Sequence, residues 1–278
     1  MRLGVHVSIA GSIYEALERA RSLNCQTMQI FSRNPRGWMA KHISARDAKL
    51  FIRKRNVYDI RPLVVHIPYL INLASPDENL FNQSIKAFVQ DIRTADLLKA
   101  EYFVTHTGSH RGRGRNFGLK RFSEGLNRVL KKAHPQTEIL LETTAGSGFG
   151  IGDRFEDLRF ILNRVKKEGL GICLDTAHVF AAGYDISKKI GLNDMLEKFD
   201  RIVGLKRLKV IHLNDSKTRL GSCVDRHEHI GKGKIGLEGF RRIVNNPRLS
   251  DIPMILETPK KKDKDDSDNL NVVRKLRR

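Results

Sequence analysis

Cysteine is nearly absent. The three in this 278-residue chain, Cys25, Cys173 and Cys223, lie far apart and make no C-x-x-C pair. That excludes a disulfide framework and a thiolate zinc site, and it points to a reducing compartment. Long apolar runs are missing too: a stretch such as "LVVHIPYLI" falls well short of the roughly 20 residues that span a bilayer. No charged-then-apolar leader opens the chain, so a soluble, cytoplasmic protein without membrane attachment is expected. Acidic residues are in deficit, 31 Asp plus Glu against 51 Lys plus Arg, for a net charge of +20 and a pI near 10.1. Such an excess attracts a polyanion, and nucleic acid is the default because binding releases its condensed counterions. Charges spread evenly for solubility or heat resistance give the same total.

What is present is a repeat of strand and helix. Short β-branched and aliphatic runs occur at 3–8, 27–32, 63–67, 102–106, 138–142, 171–175, 209–212 and 253–257. Between them, segments such as "SIYEALERARSL", "SARDAKLFIRKR", "NLFNQSIKAFVQDIRTADLLK" and "FEDLRFILNRVKKEG" carry apolar residues at helical spacing with charge on the other face. Eight strand-then-helix units, no linker and a length close to the ~250 residues usual for the architecture predict a single-domain (β/α)₈ TIM barrel over residues 1–278.

From the third strand on, the strand ends are His66, His106, Glu142, Asp175, His212 and Glu257. With 10 His and 31 acids in 278 residues, six such ends in succession arise by chance on the order of once in a hundred thousand trials. The C-terminal ends of parallel barrel strands share one rim, so these side chains must converge there. Two loops add to the set: "LDTAH" supplies His178, and "GSCVDRHEHIGKGKIG" supplies Asp225 and His227, alternate residues that share a face in an extended stretch. Nine His, Asp and Glu donors without a thiolate indicate catalytic metal rather than a closed structural site. They exceed the needs of one ion and suit two or three of Zn²⁺, Mn²⁺ or Fe²⁺. Such a cluster activates water and stabilises a phosphate and its leaving oxygen, so a basic protein carrying it reads as a phosphodiesterase acting on nucleic acid.

The segments "LDTAHVFAAGYDI", "LETTAGSGFGIG", "HLNDSK", "DRHEHIGKGKIG" and "LETP" closely resemble the signature segments of endonuclease IV, a metal-dependent apurinic/apyrimidinic endonuclease family with a (β/α)₈ barrel. The match runs from "GVHVSIAGS" to "LETP", nearly the whole chain. The resemblance implies three zinc ions per chain, with Mn²⁺ admissible at one site. His66 and His106 would bind one ion, and Glu142 would bridge it to a second completed by Asp175, His212 and Glu257. His178, Asp225 and His227 would hold the third. Glu142 would also orient the attacking water. It further implies a monomer acting on damaged duplex DNA, cut 5′ to an abasic site. Arg36, Tyr69 and Leu70, in "RNPRGW" and "HIPYLIN", match residues that enter the minor groove and help flip the abasic nucleotide. Gly37 stands where glutamine is expected, which removes one wedge.

A sugar isomerase of the same architecture also binds divalent metal at strand ends, but it needs neither the positive charge nor a third metal pocket. A non-catalytic basic nucleic-acid-binding protein is the other alternative. The arginines of "HRGRGRN" (110–116) could touch phosphates or line a plain surface loop, and the glycines of "GKGKIG" (231–236) shape a turn rather than a P-loop. "PKKKDKDDSDNL" (259–270) reads as a solvated loop before a last helix "NLNVVRKLRR". His6, on the first strand near the rim, reads as a satisfied core histidine or, alternatively, as a support for the ligands or a substrate contact; His42 and His134 read as solvent-facing, and His110 and His229 lie outside the metal set.

Overall fold

The protein is described from a computed structural model covering residues 1–39, 43–165 and 169–277; His42 lies outside the described residues. The barrel strands are β1 (Leu3–His6), β2 (Thr27–Phe31), β3 (Leu63–His66), β4 (Tyr102–Thr105), β5 (Glu138–Glu142), β6 (Gly171–Asp175), β7 (Leu208–His212) and β10 (Met254–Leu256). All pair in parallel and close in the order β1-β10-β7-β6-β5-β4-β3-β2. Two further strands, β8 (Asp215–Ser216) and β9 (His227–Glu228), make an antiparallel ribbon after β7. The helices are α1 (Glu15–Ser22), α2 (Ala45–Tyr58), α3 (Glu78–Leu97), α4 (Arg115–Ala133), α5 (Phe155–Arg164), α6 (Thr176–Ala181), α7 (Lys189–Ile202), α8 (Gly236–Val244) and α9 (Asp265–Leu276).

The strands are apolar on both faces because both are covered. Val65, Phe103, Ile139, Leu141, Ile172, Leu174 and Ile211 face outward and join the core shared with the helices. Val64, Val104, Leu140, Cys173, Val210 and Ile255 face inward and fill the barrel. The helices complete the outer core with one apolar stripe each: in α3, Phe81, Ile85, Phe88, Ile92 and Ala95 are buried at spacings of three and four. Asp77 starts that helix by accepting a hydrogen bond from the Leu80 amide at 2.8 Å, and Ser44 caps α2 through the Asp47 amide at 3.1 Å.

Two local expectations change. His178 does not lie on a loop; it sits on α6, a short buried helix added at the rim. The last helix starts at Asp265, not at "NLN", because the Asp265 carboxylate accepts from the Lys261 and Lys262 amides at 2.8 and 2.9 Å and fixes the turn before it. Acids in that first turn suit a helix N-terminus, so half of the segment read as solvated loop is helical. Among the described residues no helix is long and apolar enough to cross a membrane.

Candidate metal centre

Side chains along a strand alternate faces. Each inward residue of the apolar barrel layer is therefore followed, two positions later, by another inward residue: Val64 by His66, Val104 by His106, Leu140 by Glu142, Cys173 by Asp175, Val210 by His212 and Ile255 by Glu257. His106 and Glu257 lie one residue beyond the paired parts of β4 and β10, which leaves the convergence intact.

These side chains form three donor groups linked in a row. His66, His106 and Glu142 make the first; Glu142, Asp175, His212 and Glu257 the middle one; Asp175, His178 and His227 the third, with donor atoms within 4.8 Å of one another in each group. Glu142 belongs to two groups, and so does Asp175. Glu142 Oε2 faces His66 Nε2 at 2.9 Å and His106 Nε2 at 3.0 Å, while its Oε1 faces His212 Nδ1 at 3.0 Å. His212 Nδ1 also faces Glu257 Oε2 at 3.2 Å and Asp175 Oδ2 at 3.9 Å. The Asp225 carboxylate spans the third group, with Oδ2 3.2 Å from His178 Nε2 and Oδ1 3.3 Å from His227 Nε2. All nine expected donors thus meet.

The chemistry of this donor set fits divalent cations. Two donors on a tetrahedral ion of the Zn²⁺ type, each ~2.1 Å from it, stand about 3.4 Å apart, within the range of the spacings above. His227 Nε2 is buried and makes no hydrogen bond, although it points towards Asp175 Oδ2 at 3.7 Å as well as Asp225. Electrostatics agree. Burial opposes ionisation of Glu142, but the His106 and His212 imidazoles outweigh it and hold the carboxyl well below its usual range. Burial also opposes charge on His178 and His227; Asp175 and Asp225 nevertheless raise both, His227 to about 9. A cation bound there would displace those protons from the imidazoles and take their place beside the carboxylates.

The surroundings fix these groups. Asp175 caps α6 by accepting the His178 amide at 2.9 Å, so one acid both faces the centre and starts the helix that carries the next imidazole. Asn214, buried, donates to Asp175 Oδ2 at 2.7 Å and accepts the Glu257 amide at 2.7 Å. Asp215 explains "GKGKIG": its buried carboxylate accepts the Gly231, Gly233 and Ile235 amides at 2.9, 2.9 and 3.0 Å. A Cβ on Gly233 would lie 2.5 Å from Asp215 Oδ1, so only glycine lets the turn wrap the acid. That turn directly follows the β8–β9 ribbon, in which Ser216 pairs with His227. Sequence reasoning missed Asn214 and Asp215, along with Gln29 on β2, whose inward position is legible from the period of two although its amide carries no charge.

Two rim loops carry the residues expected to meet DNA. The loop after β2 is anchored by a fully buried ion pair, Arg33 to Asp91 at 2.8 Å, with Ser32 donating to the same carboxylate and Arg33 also reaching the Trp38 carbonyl. This leaves Arg36 exposed. At Gly37 the nearest atoms to an added Cβ lie 3.9 Å away, so the missing side chain leaves open space. In the loop after β3, Tyr69 is 61% exposed, its ring stacked beside His106 at 6.2 Å and 17° and edge-on to Phe31 at 5.4 Å; Leu70 is half-buried beside it. Asn72 ties that loop to the next by donating to the Ser109 carbonyl at 2.9 Å and accepting the Ser109 amide at 3.0 Å. Within "HRGRGRN", Arg115 is engaged by Asp153 and Asp157, while Arg111 and Arg113 stay exposed.

The remaining histidines separate as follows. His134 is exposed, and His110 accepts the Gly114 amide at 3.0 Å. His229 meets Asn269 at 2.9 Å. His6 is not deep core: it is partly exposed, 3.6 Å from Glu257, and supports the donor layer.

Residues 17–276 match the family described as the xylose isomerase-like TIM barrel. Over 280 residues the chain is 47% identical to a protein of Halothermothrix orenii named "Probable endonuclease 4", covering 99% of this chain and 100% of that one. The chain belongs to the endonuclease IV family. A relative of the same printed name from Chloroflexus aurantiacus is 46% identical over 278 residues, with 99% and 98% covered. The solved structure of endonuclease IV from Thermus thermophilus superposes with a TM-score of 0.90 at 38% identity, covering 99% of this chain and 98% of that one. A D-tagatose 3-epimerase-like protein, at 21% identity and a TM-score of 0.75 over 99% and 97% of the chains, shares the fold alone. Endonuclease IV membership therefore rests on sequence identity across the whole barrel, not on the barrel itself.

Proposed function

We propose that this protein is a zinc-dependent DNA-repair endonuclease that hydrolyses the phosphodiester 5′ to an abasic site in duplex DNA, leaving a 3′-hydroxyl and a 5′-deoxyribose phosphate. The observation that carries this reading is the row of three donor groups joined by two shared carboxylates, Glu142 and Asp175. His66, His106 and Glu142 would hold the first ion, and Glu142, Asp175, His212 and Glu257 the second. Asp175, His178, Asp225 and His227 would hold the third, with Mn²⁺ admissible at one site. Zinc bound there supplies the acidity that turns water into hydroxide at neutral pH and the positive charge that neutralises the scissile phosphate and its leaving oxygen.

The chain's own residues do the rest. Glu142, completely buried, accepts a hydrogen bond from the attacking water and orients it. Tyr69 offers an exposed ring at the edge of the donor layer, where it stacks on an unpaired base, and Leu70 wedges beside it. Arg36 meets the phosphate backbone, and the net charge of +20 draws the duplex in at long range. One chain contains every donor, which is consistent with action as a monomer.

The test is cleavage of a duplex carrying a single abasic site, run beside elemental analysis of the purified protein. About three transition-metal ions per chain and a nick on the 5′ side are expected. Fully loaded protein that leaves the abasic duplex intact would overturn the endonuclease assignment, and an active preparation saturated by one ion would overturn the trinuclear one.

A further inference from the structure

We infer that Gln29 is a positioning residue for the middle zinc: it fixes the tautomer and orientation of His212. The inference rests on the zinc reading above and adds a residue that is neither a donor to metal nor a contact to DNA.

Gln29 is fully buried on β2. Its carboxamide has one oxygen and one nitrogen end, and the neighbours dictate which faces where. The Nε2 end lies 2.5 Å from Glu257 Oε1 and 2.9 Å from His6 Nδ1. A carboxylate oxygen only accepts, so the amide nitrogen must be the atom beside it; the reverse orientation would set two oxygens against each other. The amide oxygen is therefore turned to His212 Nε2, 2.8 Å away. An oxygen that only accepts requires a proton on that nitrogen. His212 Nδ1 then carries the free lone pair, and Nδ1 is the atom that faces Glu142, Glu257 and Asp175. One side chain thus sets the donor atom of His212 and holds Glu257 beside it.

His212 differs from its neighbours in this need. His66, His178 and His227 each place Nδ1 against a backbone carbonyl, those of Ile67, Thr143 and Glu257, at 2.7, 2.8 and 3.1 Å. They present Nε2 to the centre. The ring of His212 is turned the other way, and its outer nitrogen points across the barrel interior, where inward-facing side chains rather than main-chain oxygens are the available partners. Outer partners of this kind tune metal affinity by about ten- to a hundredfold.

The experiment compares the zinc-loaded parent with Gln29→Met, which keeps the length of the side chain but supplies neither hydrogen bond. Both are dialysed against graded chelator, and zinc per chain is measured at each step with circular dichroism as a check on folding. One ion should leave the variant at a free-zinc level about ten- to a hundredfold higher than in the parent, while the other two stay. Release of all ions at the parent's level overturns the inference. The tautomer is read directly in the zinc-loaded parent by long-range proton–nitrogen correlation on histidine labelled with nitrogen-15, which decides the matter even where Gln29→Met fails to fold. His212 should carry its proton on Nε2, with His66, His178 and His227 protonated on Nδ1; a proton on His212 Nδ1 overturns the inference. A parent that binds three ions and spares abasic DNA sinks the functional reading alone, and the tautomer result still decides the role of Gln29.

Discussion

Val64, Val104, Leu140, Cys173, Val210 and Ile255 fill the barrel with aliphatic side chains and one thiol. Two residues further along the same strands stand His66, His106, Glu142, Asp175, His212 and Glu257. The backbone is the same and so is the direction of the side chains, yet one layer is dry packing and the other a buried set of imidazoles and carboxylates. The lower layer adds stability by removing apolar surface from water. The upper layer is costly alone, because completely buried acids such as Glu142 and Asp175 need opposite charge nearby. Imidazolium protons meet that need in part, and divalent cations would meet it fully. Height in the barrel, rather than strand identity, separates scaffold from chemistry.

That division breaks or sharpens under substitution. Glu142→Gln keeps the shape of the side chain but removes a negative charge shared by two donor groups; abasic-site cleavage should fall by about a hundredfold or more while circular dichroism stays that of the parent. Activity near the parent rate would end the bridging role. In the layer below, Ile255→Ala should destabilise the protein by ~2–5 kcal/mol in chemical denaturation without changing the number of ions bound. If metal content falls with it, the two layers are not independent.

Asp225→Ala removes a donor and should lower occupancy of the third ion, leaving two ions in place by elemental analysis. The same site gives a pH dependence in the parent. The Asp175 and Asp225 carboxylates raise both His178 and His227, the latter to about 9, and the ion must displace both protons, so affinity for the third ion should rise with pH from about 6 to about 9. A flat profile from pH 6 to 9 would contradict the assignment. Replacing Tyr69 and Leu70 together by Ala should cost ~1–3 kcal/mol per lost base contact in binding abasic duplex and leave metal content untouched. Unchanged affinity would remove both from lesion recognition. The smallest effect belongs to Arg36→Ala, which should flatten the dependence of log K on log salt by about one unit.

The barrel was legible because its strands are short apolar runs between amphipathic segments, and the donor layer because His and acids at strand ends stand out by residue type. The rest hid for physical reasons. Gln29 and Asn214 are neutral amides, so nothing in charge or spacing marks them. Asp215 looks like a further loop acid until the turn of Gly231, Gly233 and Ile235 closes around it. The acids that open α9 look solvated in a sequence dense with charge, and their capping role exists only once Asp265 meets the backbone ahead of it. Asp225 was readable by alternation with His227, although it lies outside the ribbon and reaches both imidazoles of the third group from an exposed position.

The cap that Asp175 places on α6 has a consequence in time. Asp175 and His178 are three positions apart and are fixed together as soon as one turn of helix forms, a local event on the microsecond scale or faster. Asp225 and His227 arrive only when a segment of roughly fifty residues closes, at an entropic cost that grows with the logarithm of its length. The third donor group therefore joins a local pair, set three residues apart by one helical turn, to a distant pair that a long chain segment must bring to it.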